Sequence, residues 1–199
     1  MIHTRDVARD MARIYCKMSP MGVESLARLL QPIKIPKGEM LMHEGEVCKN
    51  MYYVHRGMVR QFYYKNGKDV TEHFSFEGCI CFCIESFLKQ EPSKLMVEAL
   101  EPSLVYAIPY EALHVAMMQN SEIELFYRKV LEHALISSQE HADSQRFENA
   151  GERYARLLHK HREIILRAPM LHVASFLQMT PETLSRVRSA YNKDHEKRD

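Results

Sequence analysis

No run of apolar residues in this 199-residue sequence is long enough to cross a bilayer, and the N-terminus lacks the apolar core of a secretory leader. Both absences predict a cytoplasmic protein without a membrane partner. Cysteine is sparse and odd in number, five residues at positions 16, 48, 79, 81 and 83, which excludes a paired disulfide framework and suits a reducing compartment. Charge of one sign is lacking too: 27 Lys plus Arg stand against 26 Asp plus Glu, so overall charge argues neither for nor against a nucleic-acid partner. The eleven histidines include no helical pair with a Glu base, and no Ser-His-Asp motif, phosphate-binding glycine loop or dinucleotide fingerprint is present. The chain is therefore expected not to be an enzyme, and no cofactor or metal is expected.

What is present is an ordinary globular composition, 46% hydrophobic and 27% charged, sufficient for one large domain or two small ones. The basic excess is local. Residues 151–199 contain ten Lys plus Arg against six Asp plus Glu, a modest surplus for a DNA binder that a dimer would double.

Residues 171–188, LHVASFLQMTPETLSRVR, are the most informative stretch. They predict two short helices joined by a tight turn. Leu171, Val173, Ala174 and Leu177 form the apolar side of the first helix, Ala174 and Ser175 leave room for another helix, and Met179 fills the turn. Thr180 is a good N-cap and Pro181 a good first helical residue, because its missing N–H would be unpaired there anyway. Leu184 points inward, leaving Thr180, Glu182, Thr183, Ser185, Arg186 and Arg188 as candidate DNA-contacting residues. The major groove admits one helix whose N-terminal side chains reach base edges. Arg186 can grip guanine O6 and N7, Glu182 can accept from cytosine N4, and Ser185 can serve a base or a phosphate. A capped helical hairpin with no such role is the alternative.

The N-terminal two-thirds changes character at Ile33. Residues 4–30 have helical spacing at Val7, Met11, Ile14 and Tyr15, and Pro32 closes that region. Thereafter the period is two, punctuated by Gly and Pro in PKGE, HEGE, HRG, KNGK and FEG. Asn66-Gly67, between 58–64 and 69–76, is the strongest hairpin signal, since both central residues of a type I′ turn need positive φ. Further strands are expected at 95–100 and 104–108. Many short strands with regular turns imply an antiparallel roll.

Residues 121–144 contain no Gly or Pro and predict one long helix. Ile123, Phe126, Val130, Ala134 and Ser137 form its stripe; Tyr127, Leu131 and Leu135 widen it, and small Ala134, Ser137 and Ser138 permit close approach. Met117 and Met118, near its start, are expected to be packing residues.

PETLSRVR at 181–188, preceded by GERYARLLHKH at 151–161 and APMLHVASFLQ at 168–178, resembles the C-terminal helix-turn-helix of the Crp/Fnr transcription regulators. GE at Gly38-Glu39, EGE at 44–46 and YYVHRGMVR at 52–60 resemble the cyclic-nucleotide-binding β-roll of that family. ESF at 85–87 with PSKLMVEALEPS at 92–103 resembles its branch common in Bacteroidetes. The resemblance implies an α+β protein: an N-terminal antiparallel, jelly-roll-like β-roll, a long dimerisation helix at about 112–146, and a C-terminal winged-helix-like domain. The implied division is 1–146 and 147–199. It assigns DNA contact to Glu182, Ser185 and Arg186, and dimerisation to Ile123, Phe126, Tyr127, Val130, Ala134 and Ser137. The implied function is transcription regulation by a homodimer on an inverted-repeat operator, with RNA polymerase and an unknown small-molecule effector as partners.

Two departures from the family are visible. Gln178 stands where the family has a turn glycine, so either it adopts a left-handed backbone or the turn differs. Residues 163–170 leave little room for the β-wing. Nucleotide-binding members hold ribose with Gly-Glu and phosphate with Arg-Ser or Arg-Thr; the corresponding positions here are Phe82-Cys83 and Ser93-Lys94, so cyclic AMP is not the expected effector.

Cys79, Cys81 and Cys83 alternate and would share one face of a strand. A metal or redox site completed by Cys48 is the sharp reading, but the spacing is not the usual C-x₂-C, and buried thiols are the expectation. Cys16 alone lies where the family's iron–sulfur sensors place a cluster. A cupin-like enzyme with a metal on convergent His43, His55 and His73 is one alternative. A ligand-binding protein that does not bind DNA is the other.

Overall fold

The computed structural model describes residues 3–196; positions 1–2 and 197–199, the outer ends of the two expected domains, lie outside the described residues. Helices α1 (Thr4–Tyr15) and α2 (Pro20–Leu29) divide the region expected to be helical. The break has a local cause. Pro20 cannot continue a preceding helix but suits a first turn, and Ser19 caps that turn by accepting from the Gly22 N–H at 3.1 Å.

Eight strands follow: β1 (Gln31–Ile35), β2 (Met40–Met42), β3 (Asn50–Arg56), β4 (Val59–Lys65), β5 (Lys68–Ser75), β6 (Ile80–Cys81), β7 (Met96–Ala99) and β8 (Ser103–Pro109), with a short helix α3 (Ile84–Lys89) before β7. They form two four-stranded sheets, in the orders β1-β8-β3-β6 and β2-β7-β4-β5. This is the expected antiparallel jelly-roll-like domain, followed by helices. Pro32, expected to lie before the first strand, sits within β1, at the edge of its sheet, where a missing N–H breaks no ladder bond. Asn66 and Gly67 have φ of 53° and 74°, as a type I′ hairpin requires. At Gly57 (φ 105°) an added Cβ would lie 2.8 Å from Ser103 Cα, so only glycine fits.

The core of the roll contains Met51, Val54, Val59, Phe87, Val105 and Ile108. The expected helix at 112–146 is two helices, α4 (Tyr110–Gln119) and α5 (Ser121–Phe147). Asn120 separates them: its Oδ1 accepts from the Glu122 N–H at 2.9 Å, and its Nδ2 donates to Ser25 Oγ at 3.1 Å. Met117 packs partly against the core, whereas Met118 is 81% exposed and packs against little.

The expected dimerisation stripe divides between buried and exposed positions. Ile123, Phe126 and Val130 are buried in the core of their own chain, Tyr127 and Ala134 are half-buried, and Ser137 is exposed. An amphipathic pattern shows that a face is covered without showing by what. The apolar side chains α5 leaves exposed are Leu135, Ile136 and Phe147.

Cys79, Cys81 and Cys83 do not share one strand. β6 ends at Cys81, Cys83 occupies the cap position of α3, and of these three only Cys81 and Cys83 are buried. The candidate histidines have separate environments: His43 pairs with Glu46, His55 meets Tyr106 edge-on, and His73 lies beside His141. Among the described residues no three His, Cys, Asp or Glu side chains gather as metal ligands, and no helix is long and apolar enough to cross a membrane.

Two compact units divide the chain: Met1–Gln61 with Ser75–Leu135, and Phe62–Phe74 with Ile136–Asp199. The packing boundary thus falls within α5, before the expected 146/147, because the second half of α5 binds the C-terminal helices. Lys160 meets Glu140 at 3.0 Å, and the Arg156 guanidinium donates to the Glu140 carbonyl at 3.2 Å.

Candidate nucleic-acid interface

In the second unit, α6 (Ala150–Lys160), α7 (Arg162–Arg167), α8 (Met170–Phe176) and α9 (Pro181–Glu196) complete the chain. A capping box opens α6: Asn149 Oδ1 accepts from the Glu152 N–H at 3.1 Å, and Glu152 accepts from the Asn149 N–H at 2.8 Å. Tyr154, Leu157, Ile164, Val173, Ala174, Leu177 and Leu184 are buried and make the small core beneath α9. Leu171, expected on that apolar side, is 61% exposed instead. Residues 163–170, where a wing was expected to be reduced, form α7 and its exit, and no strand follows β8 among the described residues.

The α8–α9 turn is determined by Gln178. Its φ is 52°, its N–H donates to the Ser175 carbonyl at 2.9 Å, and the Met179 N–H donates to the Ala174 carbonyl at 3.0 Å. That pair of bonds is a Schellman ending with Gln in the position glycine usually takes. From α6, Arg153 Nε donates to the Leu177 carbonyl at 2.9 Å and Nη1 to the Glu148 carbonyl at 2.6 Å, bracing the turn. Thr180 then caps α9, accepting from the Thr183 N–H at 3.2 Å, with Pro181 as the first helical residue.

Beyond the cap, Glu182, Ser185, Arg186 and Ser189 are exposed at i, i+3, i+4 and i+7, on one face. Arg186 Nη2 approaches the Thr183 hydroxyl at 3.4 Å, which holds the guanidinium near the helix start. Bonds from the Thr180 hydroxyl and its own amide keep the Glu182 carboxyl below the usual carboxylate range. Arg188 stands apart: it shares the stripe of buried Leu184 and lines, with Tyr154, Ile165, Ala168, Met170 and Val173, an open cavity of about 90 Å³.

Residues that sequence reasoning missed hold α8 against the β4–β5 hairpin. Ser175 Oγ accepts from the Thr71 N–H at 3.0 Å and donates to the Asp69 carbonyl at 3.3 Å. Phe176 meets Phe74 edge-on at 5.4 Å and stacks on His141 at 4.5 Å. Burial lowers the pKa of both His73 and His141, the latter to about 4, so both rings are neutral near pH 7. Gln145 Nε2 lies 2.6 Å from His141 Nε2 and must donate to it, placing the His141 proton on Nδ1. The only signal in the sequence was Ser175 itself, a hydroxyl with no helical partner of its own.

In the roll, Phe82 and Cys83 are buried, and Phe82 meets Phe87 edge-on at 5.4 Å. Gln61 Nε2 donates to the Phe82 carbonyl at 2.9 Å. Ser93 Oγ accepts from the Leu95 N–H at 2.9 Å. The buried Arg60 guanidinium is paired with Glu98 at 2.8 Å. None of these groups is the Gly-Glu or Arg-Ser pair of a nucleotide-phosphate cassette.

The strand order and the helix that closes the roll agree with a sequence comparison. Residues 32–120 match the cyclic nucleotide-binding domain. No curated protein matches the chain. Solved structures with the same fold as this cyclic nucleotide-binding-type roll and its helices include FixK2 from Bradyrhizobium japonicum, 22% identical, with 83% of this chain and 86% of that one covered at a TM-score of 0.72. The c-di-GMP-responsive global regulator CLP from Xanthomonas campestris is 17% identical, covering 89% and 93% at 0.66. The catabolite activator protein of Thermus thermophilus is 20% identical, covering 92% and 87% at 0.57.

Proposed function

We propose that this protein is a sequence-specific DNA-binding transcription regulator of the Crp/Fnr type, and not an enzyme. The observation that carries the reading is the exposed face of Glu182, Ser185 and Arg186 at the capped start of α9, braced by α8 through the Gln178 turn. That is how a helix is presented to a major groove. Thr180 and Thr183 serve phosphates at the helix start; Arg188, one turn beyond Leu184, reaches the backbone of the duplex. The DNA-reading segment is 147–199 and the effector segment 1–146, of the branch common in Bacteroidetes.

One short helix reads too few base pairs to be specific, so the protein acts as a homodimer on an inverted repeat, with recognition helices about 34 Å apart. α5 supplies the contact through Leu131, Leu135, Ile136 and small Ala134 and Ser137. RNA polymerase is the downstream partner. The effector is a small molecule other than cyclic AMP, because buried Phe82 and Cys83 and the paired Arg60 leave no cradle for ribose and cyclic phosphate.

Selection of bound fragments from a genomic library, followed by mobility shifts over a salt series, tests the reading. Enrichment of one inverted repeat, with affinity falling steeply as salt rises, is the expected result. Fragments recovered without a shared sequence would refute it.

A further inference from the structure

The open cavity beside α6, α7, α8 and α9 has a chemistry that base reading does not use. Its wall is apolar, made by Ile165, Met170, Val173 and Leu184, and two polar side chains complete the lining, Tyr154 and Arg188. The Tyr154 side chain is 2% exposed, and neither its hydroxyl nor the Arg188 guanidinium has a hydrogen-bond or ion-pair partner among the described residues. A hydroxyl on a buried ring that finds no partner in its own chain is open to one from outside. We propose that this cavity is a binding site for a short branched-chain carboxylate, whose apolar end fills the space while Arg188 and Tyr154 hold its anion.

Size and charge select the ligand. The cavity holds about 90 Å³, room for about three waters. That admits an isopropyl or isobutyl group and is smaller than the roughly 150 Å³ that takes benzene. The apolar wall excludes a free phosphate or sulfate, which would lose hydration there without new bonds. Arg188 repels a cationic ligand and donates to a carboxylate through two parallel N–H groups, a fork that a planar guanidinium matches. The Tyr154 hydroxyl donates to the same anion. Burial raises the Tyr154 pKa and the Arg188 charge acts against that rise, so the phenol keeps its proton at neutral pH and the two groups are near neighbours.

One small residue leaves the space open. α7 ends at Arg167, and Ala168 follows in extended backbone as its cap. Ala168 also lines the cavity, and its single methyl group stands where a larger side chain would fill the space.

Binding has a consequence for DNA that rests on the transcription-regulator reading. Arg188 is exposed, and one guanidinium cannot hold a ligand carboxylate and a duplex phosphate at once. The occupied site removes one phosphate contact per protomer, so the ligand lowers DNA affinity without touching Glu182, Ser185 or Arg186.

The test titrates sodium isovalerate into the purified full chain at constant ionic strength and follows the methyl resonances of Ile165, Met170, Val173 and Leu184. These should shift together to saturation with a dissociation constant on the order of 1 mM. Isovaleramide, of the same shape but uncharged, should bind about tenfold more weakly. Ala168→Leu should fill the space and abolish the shifts, and Arg188→Gln should weaken the acid to the level of the amide. Should Ala168→Leu fail to fold, Arg188→Gln, at an exposed position, decides. Shifts that do not saturate, equal affinity for acid and amide, or undiminished binding in either variant would overturn the site. On the selected operator, saturating isovalerate should reduce the salt slope by about one per protomer, and Arg188→Gln should remove that response. An unchanged slope with the ligand bound would overturn the link to DNA. A chain that binds isovalerate but no DNA sequence would keep the site and refute the regulator.

Discussion

Gln178 shows how one residue carries a local conflict. A left-handed backbone suits glycine, and any side chain there is strained. The Schellman bonds and the Arg153 contact to the preceding carbonyl keep the conformation nonetheless. Gln178→Gly should therefore stabilise the protein, the relieved strain of about 1 kcal/mol exceeding the entropy glycine adds to the unfolded chain. Urea denaturation with an unchanged slope measures it; a destabilised variant would mean that the Gln178 side chain has a role not visible in its bonds. Two positions on α9 test base reading. Arg186→Ala should lose roughly 1–3 kcal/mol per half-site and relax discrimination at one base. Glu182→Ala should change which base is preferred more than overall affinity, because an acid near phosphates opposes non-specific binding. Fluorescence anisotropy on the selected operator and its single-base variants separates these outcomes.

At the scale of elements, the docking of α8 on the β4–β5 hairpin is sensitive to acid. His141 and His73 are buried and neutral, and their folded pKa values lie below the unfolded value of about 6.5. The sign follows from proton uptake: the unfolded chain binds more protons, so the contribution is complete above pH 6.5 and is lost as the pH falls toward about 4. The groups facing His141 are His73, Arg156, Gln145 and Phe176, and Glu72 faces His73. Melting temperature should decline between pH 6.5 and 4.5, and His141→Phe, which keeps the stack on Phe176 without a titrating nitrogen, should flatten the decline. An equal decline in both proteins would remove His141 from this account. α5 makes a second element-scale prediction. Leu135→Glu combined with Ile136→Glu alters two exposed apolar side chains and leaves the buried stripe intact. Sedimentation should show a folded monomer, with operator affinity reduced by about tenfold or more as the second half-site is lost.

For the whole molecule, the roll and the C-terminal helices proposed to read DNA are tested separately. Isothermal calorimetry should detect no binding of cyclic AMP or cyclic GMP at micromolar concentrations, because Phe82 and Cys83 are packed where the ribose contacts would stand and the Ser93 hydroxyl is engaged by the chain. A micromolar dissociation constant for either nucleotide would require this part of the roll to repack. The proposed DNA recognition would survive that result, since it rests on α9 and the α5 contact between copies and not on this part of the roll. Conversely, a DNA-binding failure would leave the roll's match over residues 32–120 untouched. α5 and the β4–β5 hairpin both cross the packing boundary between the two units.

Local chemistry was legible in the amino-acid order. Asn66-Gly67 specified its hairpin turn, Thr180-Pro181 specified the start of α9, and the alternation after Ile33 specified an antiparallel roll, because each depends on neighbours within a few positions. The break at Asn120 was also local, but a polar residue inside an apolar pattern does not announce that its side chain will cap the next helix. What covers a face was decided elsewhere. The stripe of Ile123, Phe126 and Val130 has the same periodicity whether it meets a partner or its own core, and only the fold placed it in the core. The meeting of Ser175 with the backbone at Thr71 joins residues 104 positions apart. Such contacts leave no periodic trace, since it is chain topology that brings them within reach, and they exist only once the sheets and helices have packed.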